Sequence, residues 1–102
     1  MKNIVYTPFV NTGATLSGQV TVTTAGTAVQ GTDVGLDNGV YVKAHPDNTD
    51  TVWVGQDGAD DVSSTTGFPL DAGEAIVVQV DNLNMLWFDA DVNGEKVCWL
   101  RA

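Results

Sequence analysis

Positive charge, reactive side chains and long apolar runs are all scarce in this sequence, and each shortage removes a class of function. Four Lys and Arg residues stand against thirteen Asp and Glu, a formal net charge of -9. A surface of that sign repels phosphate backbones and anionic head groups, so neither nucleic acid nor a membrane is expected as partner. Cys98 is the single cysteine, which rules out an internal disulfide framework and points to a reducing compartment during assembly. No apolar run approaches the roughly 20 residues of a membrane span. The opening MKNIVYTPFV lacks a signal-peptide core, so synthesis and first use in a cytoplasm are expected.

Catalytic equipment is equally thin. His45 is the one histidine; it precedes Pro46 in a turn, with no second imidazole or thiol at metal-ligand spacing. No Gly-rich loop opens a helix to cradle phosphate. The stretch WVGQDGADDVSS gathers Asp57, Asp60 and Asp61 around Gly58. It lacks the alternating oxygen ligands and closing Glu of a calcium loop, and Asp57-Gly58 is what a turn requires by itself. It reads as a solvated connection in preference to a cation site. The expectation is a non-enzymatic protein with no cofactor.

What is abundant is β-branched and turn-forming residues. The 102 residues, 43% hydrophobic and 17% charged, fit one globular domain spanning 1–102, with an extended N-terminal arm near 1–17. Apolar residues alternate over short runs ended by Gly, Asn, Asp or Pro. Strands are predicted near 4–6, 18–24, 27–30, 40–45, 51–55, 61–64, 75–80, 85–90 and 96–100. Many short strands without helices predict an all-β fold, an antiparallel β-sandwich with jelly-roll or Greek-key connections, a small closed barrel being the alternative.

Period-two alternation assigns inward sets: Val20 and Val22; Val40, Val42 and Ala44; Val52 and Val54; Ile76, Val78 and Val80. Asn93-Gly94 is the preferred pair for a two-residue hairpin. Such a hairpin sets Asp89 opposite Cys98, Phe88 opposite Trp99 and Trp87 opposite Leu100. Leu86, Phe88, Ala90, Val97 and Trp99 then face the core.

The same alternation turns Tyr41, Trp53, Met85, Trp87 and Leu100 outward. Gathered together they exceed the apolar patch a soluble monomer ordinarily exposes, which predicts a protein interface to which Phe9 of the N-terminal arm adds. Coverage by the N-terminal segment itself is the competing reading.

In order along the chain, TPFVNTG, VTVTTAGTAVQ, GVYVKAHPDNTDTVWVG, GFPLDAGEAIVVQVDNL and FDADVNGEKVCWL resemble small β-sandwich virion proteins of tailed bacteriophages and prophages. The likeness rests on Gly, Pro, Val and turn residues and carries no catalytic signature. It implies a structural role on the virion, as a head decoration (cement) protein or head-fibre base bound to the major capsid protein on the capsid surface. Gluing many identical sites favours a homo-oligomer, and a dimer or trimer is expected. A different class stays open: sandwiches presenting Trp and Tyr also bind carbohydrate by stacking, as host-adhesion modules do.

Overall fold

A computed structural model describes residues 16–56, 58 and 62–102. Its strands are β1 (Ser17–Val22), β2 (Val29–Gln30), β3 (Val40–Ala44), β4 (Val52–Gly55), β5 (Phe68–Leu70), β6 (Ala75–Val78), β7 (Trp87–Ala90) and β8 (Glu95–Arg101). One sheet has the order β1-β8-β3-β6 and the other β2-β7-β4-β5. The antiparallel pairs β1·β8, β2·β7, β3·β6 and β4·β5 are the rungs of one long ribbon folded at its middle. Pairs β3·β8 and β4·β7 roll that ribbon up. This is the winding of an eight-stranded jelly roll, a double-sheet form of the all-β sandwich.

Winding of this kind sends most connections from one sheet to the other, and the last turn shows the consequence. Asn93-Gly94 forms a turn, with Gly94 at φ 85°, but β7 and β8 do not pair. The expected hairpin register is therefore corrected: Asp89 faces Trp53, whereas Cys98 faces Lys43 in the other sheet. Burial explains the difference. As one ribbon, the two strands would present Phe88, Ala90, Val97 and Trp99 on a single face; in opposite sheets they enter a shared core from both sides of the roughly 10 Å between layers. The turn's polar groups serve the β1–β2 connection instead, Asn93 Oδ1 accepting from Ala25 N (2.7 Å) and Gly94 N donating to Val22 O (2.8 Å).

The core follows the alternation closely. Val22, Val40, Val42, Ala44, Val52, Phe88 and Val97 are fully buried, and Ile76, Val78 and Val80 pack around them. Leu83, in a 3-10 turn over Leu83–Met85, closes one end, where Asn82 Oδ1 accepts from Asn84 N and Val34 N.

Residues 62–64 belong to a turned segment in which the Ser63, Thr65 and Thr66 hydroxyls bond one another, and the strand lies later, at Phe68–Leu70. Hydroxyl side chains offer the backbone local partners that compete with a ladder. Pro69 is accepted in β5 because that strand is an edge, where the missing N–H costs no ladder bond. The strand expected near 4–6 and most of the N-terminal arm lie outside the described residues.

Candidate interaction surface

The outer face of the β1-β8-β3-β6 sheet is assembled by register. Ser17, Leu100, Tyr41 and Val77 form one row across four strands, and Gln19, Cys98, Lys43 and Ala75 form the next. Leu100, Tyr41 and Val77 are each about half exposed, at 50%, 47% and 50%. Neighbouring strands lie about 4.8 Å apart, so three half-exposed apolar side chains crowd within about 10 Å of one another. Below that row, Tyr41, Lys43, Ala75, Cys98 and Leu100 line a shallow apolar depression.

Charge marks the same face. No acidic residue occupies an outward position of these four strands, whereas Lys43 and Lys96, two of the chain's four basic residues, do. On a chain of net charge -9 this is a neutral-to-positive apolar window.

The sequence-derived interface residues divide among different places. Tyr41 and Leu100 are direct neighbours on this face. Trp53 and Trp87 are outward on the opposite sheet and only half-buried there, so the single gathered patch is corrected to separate surfaces. The cause is the assignment of β7 and β8 to different sheets. The chain's own backbone lies beside both residues: a Cβ on Gly67 would lie 3.0 Å from Trp53 Cβ, and one on Gly58 would meet the Trp87 ring at 3.8 Å. Trp53 Nε1 is buried without a hydrogen-bond partner among the described residues. Met85 is exposed in the 3-10 turn, beside a cleft formed with Leu36, Asp37, Gln79 and Val80. Phe9 lies outside the described residues.

Val77 is an exposed apolar residue of this face that the short motifs do not mark. Alternation contained the signal, since placing Ile76 and Val78 inward necessarily turns Val77 out.

The polar side chains of the connections and strand ends are occupied structurally. Buried Asp89 accepts through Oδ1 from Gly26 N (3.0 Å) and Ala90 N (2.7 Å). Buried Glu95 accepts from Thr49 N and Asp50 N, and the two carboxylates belong to different sheets. His45 Nδ1 accepts from Asp47 N at 3.0 Å. Asn48 bonds both main-chain groups of Lys96 and so imitates a strand neighbour. Among the described residues, no group of three or more His, Cys, Asp or Glu is placed to hold a metal ion. Asp57, Asp60 and Asp61 of the acidic loop lie outside the described residues.

Comparison with protein-family models, curated proteins and solved structures finds no match to this chain.

Proposed function

We propose that this chain is a structural virion protein that binds the outer surface of a tailed-phage capsid and stabilises it as a decoration protein. The observation that carries this reading is the acid-free apolar window around Tyr41, Leu100 and Val77 on an otherwise strongly acidic molecule. Exposed apolar area of this kind gains free energy when another molecule removes it from water, at roughly 25 cal/mol per Å². The jelly roll is compatible with the role, since capsid proteins use it, but lectins and enzymes use it too, so the fold alone decides nothing. The sequence resemblance to small phage virion proteins supplies the partner: the major capsid protein.

Carbohydrate stacking is the weaker reading because Trp53 and Trp87 are each partly buried, with Trp53 Nε1 enclosed and Gly58 beside the Trp87 ring. The deciding experiment is co-sedimentation with expanded heads of the phage or prophage encoding the chain. The wild-type protein is expected in the pellet, and Tyr41→Asp with Leu100→Asp is expected in the supernatant. Equal pelleting of both proteins would remove this face from the interface; absence of wild-type binding would remove the capsid.

A further inference from the structure

The two sheets have four edges, and they are unequally protected. Edge β2 has two residues and edge β5 has three with Pro69 at its centre, both poor templates for another strand. Edge β1 is longer but turns Ser17, Gln19 and Thr21 outward. Edge β6 differs: its four residues, Ala75–Val78, read AIVV, with no charge, proline or glycine. This is the composition that pairs strand to strand when left open.

The hydrogen-bond phase of β6 is readable from its start. Ala44 N donates to Glu74 O at 2.9 Å, and this pair continues the β3·β6 register. Alternation along an antiparallel ladder then makes Val42·Ile76 and Val40·Val78 the hydrogen-bonded pairs. The main-chain N–H and C=O groups of Ala75 and Val77 consequently point away from β3, towards solvent. Val77 is also half exposed by its side chain, and Phe68, 54% exposed, borders the same side of the sandwich.

We infer that β6 pairs antiparallel with β6 of a second copy of this chain about a two-fold axis at Ile76. Ala75 of one copy then faces Val77 of the other, giving two pairs that each exchange both hydrogen bonds. The occupant is a second copy because the strand is self-complementary under this axis and because of charge. Two chains of net charge -9 repel unless they meet where acids are sparse, and the paired residues Ala75, Ile76 and Val77 carry none, with Glu74 only at each end of the junction and Lys43 of each copy one strand from it. The outer rows fuse across it: Leu100, Tyr41 and Val77 of one copy run on into Ala75, Lys43 and Cys98 of the other. The apolar window doubles without any change of fold.

The pairing does not depend on what the window binds. Sedimentation equilibrium of the full chain is expected to give twice the 10.7 kDa chain mass. Val77→Pro and Ala75→Pro, which delete only edge-facing N–H groups, are expected to give monomers with native circular dichroism. Hydrogen exchange of the wild-type protein is expected to show slowly exchanging Ala75 and Val77 amides, and this readout decides the matter if the proline variants fail to fold. A wild-type monomer, a dimer surviving both substitutions, or fast exchange at both amides would each overturn the pairing. A dimer that ignores capsids would sink the proposed function alone; a monomer that binds them would sink the pairing alone.

Discussion

Glu95, the first residue of β8, reaches across to the β3–β4 connection and accepts hydrogen bonds from Thr49 N at 3.0 Å and Asp50 N at 2.8 Å. The carboxylate is buried and ties down a connection whose Thr49 and Asp50 are themselves exposed. Glu95→Ala removes these charge-assisted bonds, at a cost of about 1.5–3 kcal/mol. For a domain of this size each 1 kcal/mol lowers the Tm by about 4–8 °C. Glu95→Gln retains one acceptor oxygen and is expected to lose less. Calorimetry of the three proteins checks the order, and equal melting temperatures would remove Glu95 as an anchor.

Glycines at positive φ are expected to separate by what surrounds them. Gly39 has φ 84° and leads into β3, and a Cβ there would approach Val78 O of β6 to 2.4 Å. Gly73 has φ 85° with nothing nearby. Gly73→Ala therefore carries only the left-handed backbone penalty of about 1–2 kcal/mol. Gly39→Ala adds a main-chain collision and is expected to lose considerably more, with the β3·β6 ladder opening first. Urea unfolding of both variants tests this. Equal losses would mean that β6 gives way freely at that point.

Much of this architecture is legible in the sequence because alternation is a local property. Val20, Val22, Val40, Val42, Val52 and Val54 were assignable to the core from spacing alone, and they are buried. Sheet membership is not local. Asn93-Gly94 specifies a sharp reversal, but whether the strands beside it pair or stack depends on what else their apolar faces can reach. Here Phe88 and Trp99 enter one core from opposite sheets. The same step scatters the candidate site: Trp87 and Leu100, neighbours in a hairpin, end on opposite sheets. Tyr41 and Leu100, 59 positions apart in the numbering, become adjacent only through the β3·β8 ladder, which no short motif announces.

If the window serves binding and not folding, its residues should be thermodynamically replaceable. Tyr41→Lys and Leu100→Lys, at positions about half exposed, are expected to alter unfolding free energy by no more than about 0.5 kcal/mol. Phe88→Ala, at a fully buried position, is expected to cost about 3–5 kcal/mol. Guanidinium unfolding of the isolated chain makes the comparison. Losses at Tyr41 or Leu100 approaching that of Phe88 would show that the chain itself needs these side chains.

Cys98 supplies a probe of occupancy without a large substitution. It is partly exposed and lies between Gln19 and Lys43 on the outer face, in the row beneath Leu100 and Tyr41. A maleimide added to the isolated native protein is expected to label it without denaturant, because the thiol opens onto the shallow apolar depression. A partner seated on the window has to cover that depression. Labelling should then slow in proportion to the bound fraction and recover on release. A β6-paired dimer leaves the centre of each window open, so dimerisation alone should not protect Cys98. Equal labelling rates for free and particle-bound protein, with binding verified by sedimentation, would show that the particle grips another surface, and the Tyr41–Leu100 face would then need a different explanation for its exposure.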